Sequence, residues 1–146
     1  MFFSVCGIGP GPTYPGWREE LLRTWEVLPD AYSVHPVTYS KDHEGEFYVK
    51  PPFRSRGVVK TSQPPAHVVA IRAKEGHVWD ERFSGSEQDM DYREEVNAKG
   101  RYCAINYQSQ VDHLFAPYIT MMETSPFGPN HVIEMRKLFV EKWENQ

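Results

Sequence analysis

The sequence predicts an α+β fold. The expectation is one domain over residues 1–146, a two-layer, mainly antiparallel sheet of about five strands covered by two amphipathic helices, with a long Pro-rich loop. Three observations carry it. Trp17, Leu21, Trp25 and Leu28 fall at helical spacing, and so do Val132, Met135, Phe139 and Trp143. Between these stripes lie several short apolar runs of strand length. Residues 51–65, PPFRSRGVVKTSQPP, are closed by a proline pair at each end and read as a projecting loop or arm.

In chain order, residues 2–6 are apolar at nearly every position and predict a central strand. A Gly/Pro loop over 7–15 leads into a helix over 16–28, with Pro15 beside its first turn, Glu19 and Glu20 near its positive end, and Pro29 as its stop. YSVHPVTY, residues 32–39, reads as an edge or irregular strand, because Pro36 cannot donate to a ladder. A short strand is expected over Phe47–Val49. Residues 66–83 read as a hairpin turning at Glu75-Gly76, which would let His67 and His77 face each other. The acidic stretch 84–100 predicts a short surface helix, with Ser86 able to cap it and Gly100 able to end it. A strand follows over 101–108. Residues 111–123 are ambiguous around Pro117, and Asn130 caps a terminal helix over 130–144.

A chain of 146 residues suits a single core and buries about 70% of the surface its unfolded form exposes. It therefore needs no disulfide or metal to fold. Cys6 and Cys103 sit in apolar, strand-like runs and read as buried free thiols, with a bridge open if their strands are neighbours. The amino terminus lacks the charged leader and length of a signal peptide, no run has the length of a membrane span, and no Asn-x-Ser/Thr sequon occurs. The expectation is a cytoplasmic protein, or one in a virion assembled in the cytoplasm, with no membrane contact. Net charge is −4, which does not suit a dedicated nucleic-acid binder but leaves room for a local basic patch.

The glycine-rich stretch VCGIGPGPTYPGW, residues 5–17, poses the clearest question of cofactor binding. Its spacing is G-x-G-x-G rather than the dinucleotide G-x-G-x-x-G, and Pro10 and Pro12 offer no N–H where a phosphate would need one. Asp30 lies at about the right distance for a ribose contact, but it follows a helix rather than a parallel strand. VCGIGPGP resembles the opening strand and loop of the tetrapyrrole methyltransferases, which often read V-G-x-G-P-G-D-P. That resemblance implies a loop near bound S-adenosylmethionine. It covers about eight residues. Pro12 stands at the family's Asp, the family's two α/β domains need a chain well over 200 residues long, and its later glycine motifs are absent here. The residues themselves read as a stiffened turn in which Gly7, Gly9 and Gly11 supply unusual backbone angles. No cofactor is expected.

No other constellation names a reaction. The six histidines show no H-x-x-x-H spacing and the two cysteines no C-x-x-C, so no metal site is expected. Asp112 and His113, if close to Cys103, would form a nucleophile and base set. There is no P-loop, G-x-S-x-G or H-E-x-x-H, and no catalytic residue is assigned. Charge segregation is the feature that stands out. Residues 47–74 carry Lys50, Arg54, Arg56, Lys60, Arg72 and Lys74 without an acid, while residues 75–95 carry eight acids against Arg82 and Arg93. Such blocks neutralise each other within the fold, meet between identical subunits, or face an acidic partner.

These features favour a non-enzymatic protein-interaction or assembly subunit, such as a small virion component of a tail or neck ring. Its partner would be itself, as a homo-oligomer, or another protein, with nucleic acid at the basic loop less favoured. The expected partner-binding residues are Phe53, Arg54, Arg56 and Lys60. One alternative is a soluble inhibitor or immunity protein whose acidic segment 86–95 mimics nucleic acid. Another is a small transferase or hydrolase using the Gly7–Gly11 loop.

Overall fold

The computed structural model describes residues 2–5, 10–13, 15–41, 57–64, 68–83, 86–114 and 130–145. The elements run β1 (Phe2–Val5), β2 (Pro10–Thr13), α1 (Trp17–Val27), β3 (Ser33–Lys41), β4 (Val58–Thr61), β5 (Val68–Ile71), a 3-10 turn (Ala73–Glu75), α2 (Ser86–Ala98), β6 (Cys103–Leu114) and α3 (His131–Trp143). The class is α+β, as the sequence predicts. Among the described residues six strands form one sheet in the order β1-β5-β3-β6-β2, with β4 also paired to β6. Pairing is antiparallel except between β3 and β6, which run parallel at the centre.

The first helix forms where its stripe predicts. Gly16, at φ 77°, turns the chain into it through a left-handed conformation that costs glycine little. Glu19 and Glu20 lie in its first turn. Its apolar face buries Leu21 and Trp25 against Ala31, Val34, Ala70 and Ala104. Two polar ties fix it to β6: Asn106 Nδ2 donates to the Glu20 carbonyl at 2.7 Å, and Ser109 Oγ donates to the Trp17 carbonyl at 2.7 Å.

The layering differs from the expectation. Val34 is in register with both Ala70 and Ala104, and all three pack under α1. The residues pointing the other way, Val69, Ile71 and Cys103, pack with Tyr92 and Val96 of α2. Successive strand residues point to opposite faces, so α1 and α2 cover opposite sides of the sheet. The two Trp-bearing helices therefore do not share a face. The third helix packs on α2, and its Phe139 ring lies 6.5 Å from Phe83.

Four strand expectations are corrected. β3 is central rather than an edge, because Pro36 sits where the β3–β6 register shifts by three residues, from Pro36↔Asn106 to Val37↔Gln110. At such a bulge a missing N–H is tolerated. β1 pairs with β5 alone among the described strands and ends the sheet order rather than lying at its centre. Residues 10–13, assigned to the glycine loop, pair instead with β6, Pro10 opposite His113 and Thr13 opposite Val111. The hairpin over 66–83 does not form. Its turn does occur, as the 3-10 segment and a left-handed Gly76, but β5 pairs with β1 and β3, and residues 76–80 run on without a strand partner.

The acidic helix α2 is no mere surface helix. It buries Glu87, Asp91, Tyr92 and Val96, and Gly100 follows it with φ 62°. Asn130 occupies the N-cap position of α3 without a side-chain cap bond. Of the aromatic stripes, Leu21, Trp25 and Phe139 are buried, whereas Trp17 and Trp143 are half-buried. Within the expected arm, Val58–Thr61 form β4 against Cys103–Asn106, and the buried Pro64 accepts from Arg93 Nη2 at 2.9 Å. The expected strand 47–49, the arm residues 51–56, Cys6 and His67 lie outside the described residues. Among the described residues no helix is long and apolar enough to cross a membrane.

Candidate functional site

The polar groups of the core converge where α2 crosses the start of β3 and β6. Ser33 and Cys103 are register partners on the two central strands, and Tyr92 lies over both. The Tyr92 hydroxyl donates to Ser33 Oγ and lies 3.8 Å from Cys103 Sγ. Ser33 Oγ is in turn 2.8 Å from His35 Nε2. On paper a serine beside a histidine, with a thiol nearby, is a nucleophile and base set. Here all four side chains are buried. Burial pushes the Cys103 thiol above its ordinary pKa and the Tyr92 phenol far above its own. These shifts favour the neutral forms, so the arrangement is a hydrogen-bonded core network and not an activated nucleophile. Cys103 is a free, buried thiol, as its apolar surroundings predict.

The proposed set of Asp112, His113 and Cys103 is excluded by register. Cys103 lies opposite Ser33 and His113 opposite Ser40, seven residues further along β3. At ~3.3 Å per residue that is about 23 Å.

A second arm of the network reaches the surface through His77. Lys99 Nζ donates to the Tyr32 hydroxyl at 3.2 Å, and that hydroxyl lies 3.0 Å from His77 Nδ1. The Tyr32 hydroxyl thus bridges the Lys99 ammonium and the His77 imidazole. Nε2 is buried and has no hydrogen-bond partner. The ring is enclosed edge-on by Trp79 and Tyr92, with centroids at 4.7 and 5.3 Å. Burial and then the Lys99 charge push the His77 pKa from 6.5 down to about 4, against a smaller opposing effect of Asp91. His77 is thus a neutral wedge at neutral pH.

Beyond His77 lies the acidic side of α2. Lys142 of α3 reaches Asp91 at 2.7 Å, Asp80 at 3.1 Å and Glu95 at 3.5 Å, and Trp143 Nε1 donates to Asp91 at 2.6 Å. Burial opposes the charge on Lys142, but its bonds to Asp91 and Asp80 outweigh that and raise its pKa. Arg82 grips Asp80 through Nε and Nη2, and this, more than Lys142, holds the Asp80 carboxyl well below the usual range. Among the described residues no group of three or more His, Cys, Asp or Glu side chains is placed to hold a metal ion.

Of the partner-binding residues expected from the sequence, Phe53, Arg54 and Arg56 lie outside the described residues. Lys60 is exposed on β4, with its ammonium 4.3 Å from the Tyr102 ring centroid. Sequence reasoning missed the Tyr32–His77–Tyr92 cluster and the Lys142 hub. The available signal was Tyr92 and Val96, four residues apart on one helical face, which the surrounding acids masked. No family model matches the chain, and neither a curated protein nor a solved structure matches it significantly.

Proposed function

We propose that the chain is a non-enzymatic interaction subunit that assembles with itself or another protein through its basic segment, with Phe53, Arg54, Arg56 and Lys60 in contact. A small virion component of a tail or neck ring is the kind of assembly its size and bipolar charge suit. One observation carries the reading. Among the ion pairs between described residues, Glu75, Asp80, Asp91 and Glu95 of the acidic block meet Arg101, Arg82 and Lys142, none of which belongs to residues 47–74. Lys60 and Lys74, from that basic block, are exposed. The buried state of Ser33, His35 and Cys103 supports a structural role for the groups that most resemble catalytic ones. The inward turn of Glu87 and Asp91 weighs against the inhibitor alternative, since it removes two charges from a nucleic-acid mimic.

The arm supplies what a contact needs. Prolines limit the freedom that ordering removes. Arginine offers a planar fork to carboxylates, and Phe53 is an apolar anchor. The combined substitution Phe53→Ala, Arg54→Glu and Arg56→Glu is expected to abolish association while leaving the melting temperature nearly unchanged. Raised salt is expected to weaken the wild-type contact. Sedimentation at low and high salt, with melting curves alongside, checks both. A variant that unfolds while its association survives makes Phe53, Arg54 and Arg56 part of the fold, as Val58–Thr61 already are, and removes this reading's support.

A further inference from the structure

Residues 77–83 leave the 3-10 turn at Gly76, whose φ is 59°, and lie as a strap over α2 and α3. Among the described residues no backbone hydrogen bond joins residues 77–79 to another element. Side chains hold the strap instead. Val78 points outward, while His77 and Trp79 on either side of it lie against Tyr92, with ring centroids at 5.3 and 5.2 Å. Further on, Asp80 meets Lys142 of α3 and Phe83 packs on Phe139. Phe139 is the only fully buried residue among those described in α3, so that helix depends on this ring contact and on the polar ties of Lys142 and Trp143. The titratable and charged groups facing His77 are Tyr32 just ahead of β3, Asp91, Tyr92 and Glu95 of α2, and Lys99 just past it. From β6, Cys103 lies behind the Tyr92 hydroxyl. From α3, Lys142 shares Glu95 with His77, at 3.5 Å against 3.6 Å.

We propose that this strap is an acid-sensitive latch: protonation of His77 frees residues 77–83 and undocks α3 while the central sheet stays folded. In the imidazolium both ring nitrogens carry protons, and the one on the buried Nε2 meets no acceptor among the described residues. Burial opposes the new charge first and Lys99 second, and together they outweigh the attraction of Asp91. Glu95 can turn toward His77 only at the expense of Lys142. Turning outward into water relieves the charge, and residues 77–79 have no backbone tie to resist it. Asp80 and Phe83 move with them, which takes one carboxylate from Lys142 and the ring from Phe139. An undocked helix of 13 residues is marginal in water and frays. The latch stands independently of the assembly reading.

Native-state amide exchange of the intact chain, corrected for the intrinsic effect of pH on exchange, tests it. The amides of α3 are expected to be at least tenfold less protected than those of β3 and β6, because they open without the sheet. Their protection is expected to fall at least a further tenfold between pH 6.5 and pH 4, and to fall less in His77→Phe. Equal protection of α3 and the central strands overturns the proposal, since the helix then opens only with the whole protein. So does an α3 whose protection ignores pH, or falls as far in His77→Phe as in the wild type. A second readout needs no variant and stands even where His77→Phe fails to fold. The wild-type His77 ring signals, followed by NMR, are expected to titrate near pH 4. A midpoint near 6.5 means that the ring is already in water, and there is no latch to open.

Discussion

Replacing Trp25 with alanine is expected to destabilise the protein by about 3–5 kcal/mol, the usual cost of truncating a buried tryptophan. Trp25 is only 7% exposed and packs with Leu21 against Val34, Ala70 and Ala104. Its indole Nε1 donates to the Ala31 carbonyl at 2.9 Å, and the Arg72 guanidinium lies 4.7 Å from its ring centroid. Truncation therefore opens a cavity between α1 and the centre of the sheet and leaves a buried carbonyl unpaired. Trp25→Phe keeps most of the packing and is expected to lose less than half as much. Denaturant titration reads both, and a loss below about 1 kcal/mol for the alanine variant contradicts the packing of α1 described above.

Acidification from pH 6.5 to pH 4 is expected to destabilise the protein through His77, by at most about 3 kcal/mol. The group titrates near 6.5 in the unfolded chain and near 4 in the folded one. Between those values the unfolded chain binds the extra proton, so stability is complete above pH 6.5 and falls as pH drops toward 4. The cause is local. The side chain is 4% exposed, Nδ1 is hydrogen-bonded to the Tyr32 hydroxyl, and Lys99 stands just beyond that hydroxyl. The depressed Asp80 carboxyl also loses its stabilising effect on acidification, but mostly below pH 4, under the His77 window. In His77→Phe the loss of stability between pH 6.5 and 4 is expected to be smaller than in the wild type. An unchanged slope means that His77 is hydrated and titrates normally.

The two Trp-bearing helices were legible because their stripes are local: the residues that make Trp17–Val27 and His131–Trp143 helical are also those that face the core. What the stripes do not encode is which side of the sheet each helix takes, and there the two-layer expectation failed. Pro36 misled because the rule against central prolines assumes an unbroken ladder, whereas β6 inserts three residues opposite it. Glu75-Gly76 does turn the chain, but His77 and Trp79 then pack sideways onto Tyr92 instead of pairing as a strand. The acidic run of α2 looked like a solvated face because its counter-ion, Lys142, lies 51 residues from Asp91 in sequence. A pairing of that range leaves no periodic trace. The segregation of basic and acidic blocks, by contrast, is a property of the sequence, and among the ion pairs between described residues Glu75 and Asp91 take their partners, Arg101 and Lys142, from outside both blocks.

The central claim is that this protein works by association rather than by catalysis. The most direct measurement is the mass of the intact wild-type chain by light scattering after size exclusion, over a range of concentrations at low and physiological salt. The account predicts a discrete species of at least two copies that dissociates as salt rises, as contacts between exposed charges are screened. A monomer of 17.0 kDa at every concentration and salt would contradict it.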